Sequence, residues 1–144
     1  AFYQDVLGMQ VQTRTGDSVA FLSAGGYHHH VGLNTWFSKN GSAPAEGTTG
    51  LFHVAFVYPS RADLAQAVQN VLNQGVQLDG ASDHGVSEAI YLSDPDGNGI
   101  ELYFDRPAET WPRTSDGELA LKSKRLDLLA LLATQHSKPE LVDA

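Results

Sequence analysis

Apolar and polar positions along the chain fall into two successions of the same kind, and the second is the clearer. Leu51-Phe-His-Val-Ala-Phe-Val-Tyr58 is β-branched and aromatic over eight residues, which predicts a strand covered on both faces. Pro59 and Ser60 end it. Ser60 with Asp63 forms an S-x-x-D capping box, and Leu64, Ala67, Val68, Val71 and Leu72 recur at helical spacing. Gly75 stands where a helix closes. Val76 to Leu78 and a polar stretch with Gly80 and Gly85 lead to a strand from about Glu88 to Ser93. Asp94-Pro-Asp-Gly-Asn98 predicts a turn, and a last strand runs from Gly99 to Phe104. The order is β-α-β-β-β.

The opening residues repeat that order from its middle. Phe2 to Leu7 reads as the end of a helix, Gly8 as its stop and Met9 to Thr13 as the next strand, with Val19 to Ser23 and His28 to Trp36 supplying two more. Gly8 and Gly75 therefore hold equivalent places in the two copies. The second copy runs from Leu51 up to Gly75, whereas the first has only Ala1 to Leu7 before Gly8, so the repeat expects a strand and half a helix, about 17 residues, ahead of Ala1. A module that simply opens on a helix would leave its sheet short of an edge strand, with backbone and apolar surface uncovered. Beyond Arg106, Trp111-Pro112 can anchor a loop, Leu119 to Ala133 reads as a short amphipathic helix, and the last ten or so residues as a frayed tail. The expected division is one domain over residues 1–107, with modules 1–40 and 50–107, and a C-terminal loop, helix and tail over 108–144.

Composition narrows the class. At 144 residues the chain fits one domain, and 42% hydrophobic and 18% charged positions are the profile of an ordinary globular protein. No apolar run approaches a membrane span, and no secretory signal is visible. The absence of cysteine excludes disulfides, thiolate metal sites and a cysteine nucleophile, and is compatible with a reducing cytoplasm. A net charge of −8 gives no support to nucleic-acid binding. Lys122, Lys124 and Arg125 read as a solvated helix flank.

Strand parity then singles out a carboxylate. On the last strand Ile100, Leu102 and Phe104 point toward the helix layer, while Glu101, Tyr103 and Asp105 point to the opposite, concave face. A charge in mid-strand between isoleucine and leucine needs a partner: a metal ion, an arginine or a histidine. His53 shares a face with Ala55 and Val57 on the first strand of the module. In a curled four-stranded sheet the first and last strands lie at the centre, which brings His53 and Glu101 within reach. One histidine and one carboxylate make two-thirds of a facial triad for iron(II). By symmetry the third ligand falls as far before Gly8 as His53 falls before Gly75, on the strand expected ahead of Ala1. Spacing alone leaves a metal site and a buried ion pair or hydrogen-bonded core pair equally open.

Phe2-Tyr-Gln-Asp-Val-Leu-Gly8, Leu51-Phe-His-Val-Ala-Phe-Val57 and Tyr91-Leu-Ser-Asp-Pro-Asp-Gly-Asn-Gly-Ile-Glu-Leu-Tyr103 resemble the three signature stretches of the vicinal-oxygen-chelate superfamily of glyoxalases, bleomycin-resistance proteins and extradiol dioxygenases. The resemblance covers about residues 1 to 107 and is nearest to single-domain relatives of catechol 2,3-dioxygenase. It implies an α+β fold of paired βαβββ modules, a curled mixed sheet with helices outside. It also implies an extradiol-type dioxygenase cleaving a catechol-like aromatic with O2, in the cytoplasm, as a homodimer, with Fe(II), or Mn(II) or another divalent metal, as cofactor. His53 and Glu101 match two metal-ligand positions; the third, a histidine on the opening strand, is not in this sequence. His29, in Tyr27-His-His-His-Val-Gly-Leu33, matches the acid–base and oxygen-handling histidine. Tyr91, at its spacing from Glu101, matches a tyrosine that hydrogen-bonds the substrate hydroxyl, and His84 falls, with a gap, where a second such histidine occurs.

Each of these has a plainer explanation: Tyr91 as sheet packing, His84 as a loop histidine beside Asp83, and at most two of three successive strand histidines on one face. Other functions on the same scaffold are a glyoxalase or lyase, a thiol transferase and a non-catalytic drug-binding module. Glyoxalase I takes a carboxylate from the last strand of its first module, where this chain has Asn34. A phosphonate-directed thiol transferase needs a basic pocket, for which only Arg61 and Arg106 lie near the sheet ends. A drug-binding module suits the acidic charge and leaves His53 and Glu101 unexplained.

Overall fold

The computed structural model describes residues 1–137 as two compact units, Ala1–Gly50 and a second beginning at Leu51. The tail expected to fray falls largely on 138–144, outside the described residues.

The first unit opens on a short π-helix, Phe2–Val6, and continues as an antiparallel sheet of β1 (Gln10–Thr15), β2 (Val19–Ser23) and β3 (Val31–Asn34) in that order. Gly8 stops the helix at φ +73°, a left-handed backbone that a side chain would strain. Val6, Met9 and Leu22 are its buried apolar residues. The third strand is shorter than the pattern predicts. His28, His29 and His30 precede β3 in an irregular turn instead of alternating along it, and Trp36 and Phe37 lie exposed beyond it.

The second unit has β4 (His53–Val57), α1 (Arg61–Asn73), β5 (Gly80–Asp83), β6 (Ser87–Ser93), β7 (Gly99–Asp105), β8 (Lys124–Arg125) and α2 (Leu128–Leu132). The sheet order is β4-β7-β6-β5-β8, with β4 parallel to β7 and every other pairing antiparallel. This is the α+β fold and the β-α-β-β-β order expected. The helix starts as its capping box dictates: the Asp63 N–H donates to Ser60 Oγ at 3.1 Å, and that hydroxyl donates to the Asp63 carboxylate at 2.6 Å. It ends in a Schellman motif, with Val76 N–H on the Val71 carbonyl, Gly75 N–H on that of Leu72, and Gly75 again at φ +73°.

Helical spacing and strand parity build the core. Leu64, Val68 and Val71 of α1, Ile90 and Leu92 of β6, Ile100 and Leu102 of β7 and Leu131 of α2 are fully buried. Each contributes about 1.5–3 kcal/mol by leaving water.

Four expectations change. The strand after α1 is β5, which starts two residues beyond Leu78; Val76, the first residue of the stretch Val76–Leu78, still closes the Schellman motif. β4 does not lie at the centre of the sheet as expected but at its edge, because within this unit only β7 pairs with it; nor is it covered on both faces, since Ala55 and Val57 are exposed. The helix expected over Leu119–Ala133 begins only at Leu128, because Asp127 caps it by accepting the Ala130 N–H at 3.0 Å. A 3-10 turn, Ala133–Ser137, continues it, and both pack on α1. Lys124 and Arg125 therefore flank no helix; they extend the sheet as β8, paired with Asp83 and Ser82 of β5.

Candidate functional site

The pairing of β4 with β7 and of β7 with β6 brings three predicted side chains together. Tyr91 and Glu101 are opposite one another in the antiparallel register, so they share a face, and Ala55 places β4's equivalent face beside Glu101. His53 enters from two residues earlier. Its approach depends on Gly99, its register partner: a Cβ there would collide with the Phe52 carbonyl oxygen and lie 3.0 Å from the Cβ of His53. Gly99 is required by crowding, and the strand can hold the histidine close only because that position has no side chain.

The result is a chain of four polar groups. His53 Nε2 lies 3.0 Å from Glu101 Oε2, with side-chain exposures of 31% and 15%. The other carboxylate oxygen, Oε1, accepts the Tyr91 hydroxyl at 3.2 Å. Tyr91 has one proton and gives it to Glu101, so its oxygen accepts from His84 Nε2 at 2.9 Å, which fixes the His84 tautomer with the proton on Nε2. Burial, and then the Glu101 charge and hydrogen bond, push the Tyr91 phenol up to about 12. Tyr91 is therefore a neutral donor throughout the physiological range. The partner that parity demanded for Glu101 is His53, with Tyr91 on the second oxygen.

The donor set fits a divalent cation in kind. One imidazole nitrogen and one carboxylate oxygen are each partly open, with the carboxylate oriented from behind by a hydroxyl, the arrangement that holds ligating carboxylates in metal sites. Two donors of the right chemistry are present. Among the described residues no three of His, Asp and Glu cluster so as to hold an ion.

His84 reaches the site although its alignment required a gap. His29 lies in the first unit, where its ring meets Phe21 and its Nδ1 is 2.8 Å from that of His28. It stands in the turn before β3, not within a strand, because the residues between Gly25 and His30 form no ladder. Asn34, at the position where glyoxalase I would need a carboxylate, accepts the Trp36 N–H at 3.3 Å.

Sequence reasoning missed a second polar cluster on the helix-side face of the sheet. Glu88, buried at 6% side-chain exposure, accepts Arg61 Nε at 2.7 Å and Arg106 Nη2 at 2.9 Å. Arg106 also grips both oxygens of Asp83, at 2.8 and 3.0 Å. That grip holds the Asp83 carboxyl below the usual carboxylate range and raises Arg106 further. Both arginines that a phosphonate pocket would have used are thus committed to carboxylates. The available signal was Glu88 itself, a charge inside a strand, the same anomaly that marked Glu101.

Among proteins of known sequence, catechol-2,3-dioxygenase of Bacillus subtilis (strain 168) is 42% identical over 134 residues, 91% of this chain and 45% of that protein. Biphenyl-2,3-diol 1,2-dioxygenase 3 of Rhodococcus globerulus is 35% identical over 107 residues, 72% of this chain and 54% of that protein. The chain spans about half the length of the curated relatives it matches. Among solved structures, a glyoxalase/dioxygenase from Nostoc punctiforme shares the fold at a TM-score of 0.57 and 21% identity, over 74% of this chain and 80% of that one. Lactoylglutathione lyase from Agrobacterium tumefaciens does so at 0.54 and 21%, over 72% and 81%. Residues 1–102 match the model of the Glyoxalase/Bleomycin resistance protein/Dioxygenase superfamily, and to that superfamily the chain belongs.

Proposed function

We propose that the chain belongs to an extradiol-type, ring-cleaving dioxygenase that acts on a catechol-like aromatic with O2. The observation that carries this reading is the continuous contact His53–Glu101–Tyr91–His84, in which an imidazole–carboxylate pair is backed by a neutral phenol and a second imidazole. The names of the relatives in Bacillus and Rhodococcus point to the same chemistry.

His53 Nε2 and Glu101 Oε2 would hold the metal, Fe(II) by preference and Mn(II) or another divalent ion as alternative. When bound, the ion would supply Lewis acidity toward the two vicinal oxygens of a catechol and redox chemistry toward O2. The chain's own residues do the rest. Glu101 keeps one orientation because Tyr91 donates to its far oxygen. Tyr91, neutral with its raised pKa and with its proton on Glu101, would accept a hydrogen bond from a substrate hydroxyl. His84 fixes the direction of that hydroxyl through its Nε2 proton. The acid–base role of His29 rests on the resemblance alone, and its exposed imidazole has the chemistry for it.

The test is iron content together with oxygen uptake on catechol, for the full-length protein and for His53→Ala. Stoichiometric iron and ring cleavage, both lost in the variant, are expected. A protein that holds metal but leaves catechols intact would move the reading to another superfamily reaction. A protein that holds no metal would leave a binding module.

A further inference from the structure

We propose that Arg106 is a positioning residue for the site, holding His84 against Tyr91 through Asp83 and the Gly85 turn. Its kinetic consequence rests on the dioxygenase reading above; its structural consequence does not.

The guanidinium of Arg106 straddles the three residues around His84. It donates to both oxygens of Asp83 on one side and, at 3.3 Å, to the Gly85 carbonyl on the other. Asp83 Oδ1 in turn accepts the Gly85 N–H at 2.8 Å, closing the turn over His84. Gly85 is itself confined: its φ is +80°, and a Cβ there would lie 3.0 Å from Pro112 Cγ. The backbone of His84 is tied twice more, by its N–H to the Ser87 carbonyl at 2.9 Å and by its carbonyl to the Lys122 N–H at 3.3 Å. With the main chain fixed at residues 83 to 85, the imidazole is delivered to the Tyr91 hydroxyl at 2.9 Å.

Charge neutralisation does not account for this grip. Glu88 already has Arg61 at 2.7 Å, and Asp83, at 28% exposure, can be served by water. What a two-pronged arginine adds is geometry, since its planar fork fits a carboxylate in one orientation. Arg106 follows the end of β7 and Glu88 lies on the face of Ile90 and Leu92, so the arginine works from the helix side of the sheet while Tyr91 faces the other way. No reacting group is touched.

A double-mutant cycle tests this on the iron-loaded full chain with catechol as substrate. His84→Ala and Arg106→Gln are each expected to lower kcat/KM roughly tenfold to a hundredfold, the usual cost of losing an outer hydrogen-bond partner. Adding Arg106→Gln to His84→Ala is expected to cost less than about twofold more, because the arginine acts through the histidine. On metal-free protein, the ring nitrogen resonances of His84 are expected to move in Arg106→Gln toward those of a solvent-exposed histidine, and Arg106→Lys to recover them only in part. Additive losses in the cycle, or a His84 signal unmoved by Arg106→Gln, would overturn the proposal. Should wild-type protein hold no iron or leave catechol intact, the dioxygenase reading fails and the His84 signal alone decides the role of Arg106. Should Arg106→Gln not fold, Asp83→Asn loosens the same grip and is expected to reproduce both results.

Discussion

Replacing Glu88 by glutamine removes one charge from between two guanidiniums and changes almost nothing in shape. Glu88 is buried at 6% side-chain exposure and accepts from Arg61 at 2.7 Å and Arg106 at 2.9 Å. A hydrogen bond between charged partners contributes about 1.5–3 kcal/mol, and orphaning one side of a buried ion pair costs roughly 3–5 kcal/mol. Two features reduce that figure here. The two arginine side chains are 31% and 29% exposed, so water takes over part of their solvation, and Arg106 keeps Asp83. The amide carbonyl also still accepts one bond. A loss of about 2–3 kcal/mol follows, a large share of the roughly 5–15 kcal/mol that holds a domain folded.

The assay is urea denaturation followed by tryptophan fluorescence in a Trp36→Phe background, which leaves Trp111, whose indole N–H donates to the Arg106 carbonyl at 2.8 Å and so reports the same region. The midpoint is expected to fall while the urea dependence of the free energy stays unchanged. Raising the salt to 1 M is expected to change the difference little, since the carboxylate is shielded from counter-ions. Glu88→Leu is expected to be at least as damaging, because it removes the shared carboxylate from both arginines, leaving Arg61 only the Ala130 carbonyl and Arg106 only Asp83 and the Gly85 carbonyl. A loss for Glu88→Gln no larger than that of an ordinary surface substitution, about 0.5 kcal/mol, or a gain for Glu88→Leu, would refute the reasoning.

Two further outcomes follow from the same geometry. Gly99→Ala forces a methyl against the Phe52 carbonyl and is expected to cost about 1–3 kcal/mol, spreading β4 from β7 and separating His53 from Glu101; denaturation at wild-type midpoint would contradict it. Asp83 is held below its ordinary pKa by Arg106, so its contribution is fully present above the unfolded value near pH 4 and is lost as pH falls through the lower folded value. Stability measured from pH 5 to pH 2 should therefore decline less steeply in Asp83→Asn than in wild type, and parallel curves would show that the pair carries no linkage.

Much of the second unit was legible because its signals are local. The Ser60–Asp63 cap, the left-handed Gly75 and the apolar spacing of α1 concern residues within four positions of each other. The turn at Asp94-Pro-Asp-Gly-Asn98 is equally local: Asp94 Oδ1 accepts the N–H groups of Asp96 and Asn98. The C-terminal segment misled for a matching reason. The apolar residues from Leu119 to Leu132 have helical spacing, but Lys124 and Arg125 pair with β5, a strand about forty residues earlier, and nothing in the local pattern records that edge. The histidine run failed in the same way, since alternation was read into residues that make a turn.

For the site, the order of residues along the chain marks which groups are anomalous. A carboxylate between Ile100 and Leu102 must find a partner whatever the fold, because burying it alone is too costly, and the two-residue period of a strand puts it on the face away from those side chains. His53, Tyr91 and His84 are equally visible there as groups with the right chemistry. Which of them meet is settled by the folded sheet. The parallel pairing of β4 with β7 puts His53 3.0 Å from Glu101, a pairing that Gly99 permits, and the Asp83–Arg106 grip turns His84 onto Tyr91. These contacts join residues far apart in the chain, and the free energy that selects them belongs to the packed sheet and not to any stretch of sequence.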